Sequence, residues 1–128
     1  MDDRIVLDAS AVLAMIQQEP GGAAVAELLG RAVISSVNLA EVGSRVIDGG
    51  VDAQVAKRML DDFYLEVPDF DAEMAHASAA LRAETRFLGL SLGDRACLAL
   101  GKTLGLPVLT ADRAWGKLDI GVEVQLLR

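Results

Sequence analysis

Short apolar runs alternate with longer amphipathic stretches along this chain, a pattern that predicts strands joined by helices. Arg4–Leu7 reads as a buried strand of Ile, Val and Leu, ended by Asp8. Ser10–Gln17 follows as a helix, with Ser10 as its cap, stopped by Pro20 and the Gly21–Gly22 pair. A further helix spans Ala23–Leu29 and ends at Gly30, and Ala32–Ser35 is a second strand. Two helices, Asn38–Ile47 and Val51–Phe63, are separated by Gly49–Gly50, and Tyr64–Val67 is a third strand closed by Pro68. Asp71 is suited to cap a long helix reaching Phe87, in which Met74, Ala77, Leu81 and then Leu88 recur at helical spacing. A last helix, Leu92–Leu104, ends at Gly105, and strands Pro107–Thr110 and Val122–Leu127 complete the order.

Strands alternating with helices imply an α/β fold with a mainly parallel central sheet and helices on both faces. In that architecture ligands bind outside the carboxyl ends of the strands, where Asp8 and Asp112 stand. The 128 residues fit one domain, 1–128. Hydrophobic residues make up 52% and aromatic ones 4%, which predicts a core of Ala, Val, Leu and Ile and argues against disorder.

The net charge of −7 argues against broad electrostatic adhesion to nucleic acid or to anionic membranes. It favours a basic protein partner and leaves room for a local basic rim. The single cysteine, Cys97, rules out a disulfide framework within the chain and reads as a small core residue. The N-terminal MDDRIVLD is acidic with a short apolar run, unlike a signal peptide, and no apolar stretch is long enough to span a membrane. The expectation is a cytoplasmic protein without membrane contact.

Four acids sit where an apolar run meets a helix: Asp8 in IVLDAS, Glu41 in SSVNLAEV, Asp94 in SLGDRAC and Asp112 in VLTADRAW. A carboxylate beside buried apolar residues is costly unless something compensates its charge. Each has an ordinary explanation. Asp8 suits an N-cap, Glu41 lies three residues after Asn38 and four before Arg45, Ser91 to Asp94 matches a capping box, and Asp112 suits a turn. Together they suggest carboxylates gathered at one sheet edge around a hard divalent cation such as Mg²⁺ or Mn²⁺. Mutual repulsion then predicts raised pKa values without the metal.

Taken in order, V-L-D-A-S-A, N-L-A-E-V, L-G-D-R-A-C-L-A-L-G and V-L-T-A-D resemble the acidic motifs of the PIN-domain family, closest to its bacterial VapC-type toxin branch. The resemblance covers nearly the whole chain. It implies a PIN-like three-layer α/β/α sandwich and a Mg²⁺- or Mn²⁺-dependent endoribonuclease, the toxin of a toxin–antitoxin pair. By the same resemblance Asp8, Glu41, Asp94 and Asp112 are the catalytic, metal-binding acids, and Ser10 and Thr110 are auxiliary polar positions. It further implies an RNA substrate, a cognate antitoxin with a basic C-terminal segment lying across the toxin, and a homodimer.

Arg45, Lys57, Arg58, Arg82, Arg86, Arg95 and Arg113 are candidates for phosphate contacts, with Arg86, Arg95 and Arg113 taken as the RNA contacts. His76 lies away from the acid motifs and reads as a surface residue; Trp115, Met15, Met59 and Met74 read as packing. Two other functions compete. A Mg²⁺-dependent phosphohydrolase or phospho-accepting receiver also puts an acid after its first strand. The first usually carries D-x-D, where this chain has Asp8-Ala9-Ser10, and the second needs a late lysine after a strand, which is missing. A non-catalytic scaffold binding RNA or protein would be indifferent to Asp94→Asn.

Overall fold

The computed structural model describes residues 2–128. Four short strands, β1 (Ile5–Leu7), β2 (Ala32–Val33), β3 (Val108–Thr110) and β4 (Val124–Leu126), form a sheet in the order β2-β1-β3-β4, every pair parallel. The helices are α1 (Ala9–Ile16), α2 (Gly22–Ala26), α3 (Ser36–Asp48), α4 (Ala53–Asp61), α5 (Ala72–Ala80), α6 (Arg82–Thr85) and α7 (Leu92–Leu104).

Alternation along the strands builds two cores. Ile5, Leu7, Ala32, Ile34 and Leu109 face one side, where Val12, Val42 and Leu60 of α1, α3 and α4 cover them. Val6, Val33 and Val108 face the other, covered by Leu98 and Leu100 of α7 and by Leu81 beside α5. Parallel strands buried on both faces read as continuous apolar runs, which is why IVL and VLT were recognisable as strands. The result is the α/β/α sandwich expected, fully rather than mainly parallel.

Tyr64–Val67 is not a strand. It meets β2 only through a parallel bridge between Val33 and Glu66, with the Glu66 N–H on the Ala32 carbonyl and the Ile34 N–H on the Glu66 carbonyl. Tyr64 has a φ of +52°, off the extended conformation, and Pro68 has no N–H to continue a ladder.

The long helix expected over Asp71–Phe87 is also broken. Asp71 does cap α5, accepting the Met74 N–H, but at Leu81 the backbone tightens to an i−3 bond with Ser78. The Thr85 hydroxyl then donates to the Leu81 carbonyl, and a 3₁₀ turn over Arg86–Leu88 ends at Gly89, whose φ is +63°.

Two caps differ from expectation. α3 starts at Ser36 rather than Asn38, because the Ser35 hydroxyl accepts the Val37 N–H. α1 starts at Ala9, so Asp8 rather than Ser10 holds the cap position. Both shifts decide how the acids are used.

Candidate active site

Asp8 ends β1 and is buried, 5% exposed, at the mouth of the sheet. Its carboxylate makes no capping bond to α1. Instead the Ser10 hydroxyl donates to Oδ2 at 2.7 Å and the Thr110 hydroxyl donates to the same oxygen at 2.9 Å. Burial pushes the Asp8 carboxyl above its usual range; the two hydroxyls oppose that shift and the nearby charge of Asp94 adds to it. The expected rise is therefore present at Asp8, with desolvation rather than repulsion as its main cause.

Glu41 stands one helical turn after Asn38 on α3. Starting the helix at Ser36 takes Asn38 out of any capping role and buries it completely. Its Nδ2 donates to Glu41 Oε1 at 2.7 Å and to the Gly93 carbonyl at 3.0 Å, so one amide ties Glu41 to the first turn of α7. Gly93 makes room for this: a Cβ there would overlap the Glu41 carboxylate. Asn38 Oδ1 is buried without a hydrogen-bond partner among the described residues.

Asp94 sits in the capping box of α7. Its backbone N–H donates to the Ser91 hydroxyl, and its Oδ2 accepts the Ser91 N–H at 2.9 Å. The cap and the pocket are compatible, because the box occupies one carboxylate oxygen. The same holds for Glu41, where the amide of Asn38 takes Oε1.

A cavity of about 350 Å³ at the carboxyl ends of β1 and β3 gathers Asp8, Ser10, Glu41 and Asp94 with Leu13, Arg45 and Arg128. Asp112 does not line it. Its Oδ1 accepts the Ala114 N–H and starts the 3₁₀ helix Arg113–Lys117, while the preceding Ala111 does line the cavity. Among the described residues no three His, Cys, Asp or Glu side chains converge closely enough to cage an ion. The donor set is nonetheless all hard oxygen, and Mg²⁺ commonly keeps several waters while resting on one or two carboxylates. The arrangement fits such a hydrated ion better than a closed cage.

The family model of the PIN domain matches residues 5–121. The chain belongs to the PIN-domain family. No curated protein matches it. Solved structures that share its fold include the DNA-bound VapBC of Salmonella typhimurium, 20% identical, covering 98% of each chain with a TM-score of 0.74. VapBC2 of Rickettsia felis bound to a promoter DNA fragment is 22% identical over 95% of this chain and 97% of its own, TM-score 0.71. A toxin–antitoxin complex from Klebsiella pneumoniae is 18% identical over 97% and 98%, TM-score 0.75.

In this PIN domain the three arginines expected as RNA contacts do not line the cavity. Arg95 points to α5, its Nη1 donating to the Ser78 carbonyl at 3.2 Å, and Arg86 is exposed on its 3₁₀ turn outside the cavity. Arg113 donates to the backbone oxygen of Arg128 at 2.6 Å. The cations that do line the cavity are Arg45, one of the candidates for phosphate contact, and Arg128, which no sequence pattern marks. Asn38 was also missed as a site residue because its capping-box spacing to Glu41 supplied an ordinary explanation. Its one legible signal was an amide on a helix face otherwise formed by Val42 and Val46. Trp115 is fully buried and His76 exposed, as read from the sequence.

Proposed function

We propose that this PIN domain, acting as a single unit over 1–128, is a metal-dependent endoribonuclease and the toxin of a toxin–antitoxin pair. The observation that carries the reading is the gathering of Asp8, Glu41 and Asp94 in one cavity at the carboxyl ends of the parallel strands. In this reading the three hold Mg²⁺ or Mn²⁺, and Asp112, one residue beyond the cavity wall, acts from its margin. A bound divalent ion lowers the pKa of attacking water and neutralises charge on the phosphate. The chain's own contribution is placement: Ser10 and Thr110 fix Asp8, Asn38 fixes Glu41, and the α7 capping box fixes Asp94.

The toxin assignment is supported by the shared fold with chains solved in VapBC and other toxin–antitoxin complexes. A cognate antitoxin with a basic C-terminal segment suits the net charge of −7. The groove between α3 and α4, lined by Leu39, Ile47, Ala56 and Leu60, suits an apolar helix face. Exposed Phe87 and Leu92 offer apolar surface to a second copy. No helix among the described residues is long and apolar enough to cross a membrane.

The test is cleavage of total RNA and tRNA by the antitoxin-free protein, with and without Mg²⁺ or Mn²⁺, beside Asp8→Asn. Discrete metal-dependent cuts that vanish in the variant are expected. Well-folded protein that cuts nothing while still binding RNA would support the scaffold reading instead.

A further inference from the structure

The catalytic cavity is acidic, yet its substrate class is a polyanion. Besides Asp8, Glu41 and Asp94, Glu19 lines it, and against these four acids stand two cations, Arg45 and Arg128. An RNA strand entering here meets repulsion except where those guanidiniums or a metal ion receive its phosphates.

The two arginines are built differently. Arg45 is exposed on α3, and its side chain has no ion-pair partner among the described residues. Arg128 is held from several sides. The Leu127 N–H donates to the Thr110 carbonyl at 2.8 Å, continuing the β3–β4 register to the end of Thr110. Arg113 donates to the Arg128 backbone oxygen at 2.6 Å. Arg128 Nη1 donates to the Pro20 carbonyl at 2.8 Å, and Nη2 lies a loose 3.9 Å from Glu19. Leu127 packs so closely over Gly21, whose φ is +87°, that a Cβ there would collide with it. The α1–α2 turn, the loop after β3 and the end of β4 thus converge to place one guanidinium at the rim of the acid cluster.

This placement has a physical consequence. A guanidinium carries five N–H donors, and among the described residues only one is committed to a full hydrogen bond here. A side chain already ordered by the protein loses less entropy on meeting a phosphate than a free one does. The Thr110 carbonyl that anchors Leu127 belongs to the residue whose hydroxyl holds Asp8, so the cation and the acid are fixed in one frame.

We infer that Arg128 is the phosphate-positioning residue of this site, receiving a backbone phosphate of the RNA strand beside the one that the acids and their metal engage. Arg113 serves it as a clamp rather than touching RNA itself. The inference rests on the nuclease reading and goes beyond it by naming the group that lets an acidic pocket accept its substrate.

The experiment separates the two. Binding of a short single-stranded RNA is measured on full-length protein carrying Asp8→Asn, which keeps the RNA intact, across a series of salt concentrations with Mg²⁺ present. Adding Arg128→Ala is expected to weaken binding about tenfold and to lower the slope of log affinity against log salt by about 0.7, one phosphate contact on a single strand. Arg128→Lys keeps the slope and recovers part of the affinity. Lys102→Ala, which removes a cation from a different cavity, changes neither. Thermal melting of each variant verifies folding. If Arg128→Ala matches its parent in affinity and slope, or Lys102→Ala falls equally, this inference is wrong while the nuclease reading stands. If the parent binds no RNA and the wild type cuts none, the nuclease reading fails and this inference goes with it.

Discussion

Ser10 and Thr110, a hundred residues apart in the chain, bring their hydroxyl oxygens within 3.2 Å of each other. Each donates its proton to Asp8 Oδ2, and each accepts a backbone N–H from the loop after β3, Ser10 from Ala111 and Thr110 from Asp112. With every donor so assigned, the two hydroxyls hold β1, α1 and the β3 loop around one buried carboxylate. Losing either leaves a loop N–H and part of Asp8 unsatisfied.

Thr110→Val keeps the shape of this fully buried residue and removes both bonds. It should cost about 1–3 kcal/mol of stability, measured by urea denaturation, and should weaken metal binding by loosening Asp8. A variant as stable as the wild type would contradict this network.

Gly93→Ala separates helix propensity from site geometry. Alanine favours a helix over glycine by about 1 kcal/mol, and the atom its Cβ meets belongs to the flexible Glu41 side chain. Stability should therefore hold or rise while Glu41 is displaced from its Asn38 bond. The expected result is an unchanged or higher melting temperature with at least about tenfold lower activity, the loss of one well-placed charged contact. Full activity would mean that Glu41 needs no fixed position.

Asp8 makes stability depend on pH in a defined direction. Its pKa is raised in the folded state, so its stabilising contribution is complete below the unfolded value of about 3.8 and is lost as pH rises through the raised one. At neutral pH without metal the ionised group is a net cost. Asp8→Asn in EDTA should then melt a few degrees higher than the wild type at pH 7, and the gap should close as the pH falls toward 4. A variant less stable than the wild type at neutral pH would reverse the sign and refute burial as the dominant cause.

The strands, the two-sided helical cover and the acid motifs were legible because each rests on local pattern. IVL and VLT are apolar runs long enough to need two-sided burial, and the Ser91–Asp94 box and Gly105 mark both ends of α7 correctly. Tyr64–Val67 looked equally strand-like, but pairing depends on what lies alongside, and the left-handed Tyr64 leaves only one bridge. Of the residues singled out in the sequence, the structure brings Asp8, Glu41 and Asp94 into one cavity and puts Ser10 and Thr110 on Asp8, while Asp112 stays outside the cavity lining. Asn38 and Gly93 meet across 55 residues, and Arg128 reaches the cavity only through β4 register and the Gly21 turn. Arg95, next to Asp94, is turned to α5, because neighbouring side chains at a helix start point apart, and Arg113, next to Asp112, is spent on the Arg128 backbone oxygen.

Trp115 is a packing residue of the core beneath α7. It is fully buried with Leu98 and Val108 in the α7 core, its indole N–H unpaired among the described residues. Trp115→Phe should cost little, and Trp115→Ala about 3–5 kcal/mol, read by thermal or urea denaturation. Loss of RNA binding without loss of stability would instead make it a contact residue.

The most direct measurement is a calorimetric titration of Mn²⁺ into the metal-free protein and into Asp8→Asn, Glu41→Gln and Asp94→Asn. Saturable binding is expected in the wild type, weakened about tenfold or more in each variant, as for lost charge-assisted contacts. No saturable binding, or binding indifferent to all three substitutions, would contradict the claim that these carboxylates form a metal site.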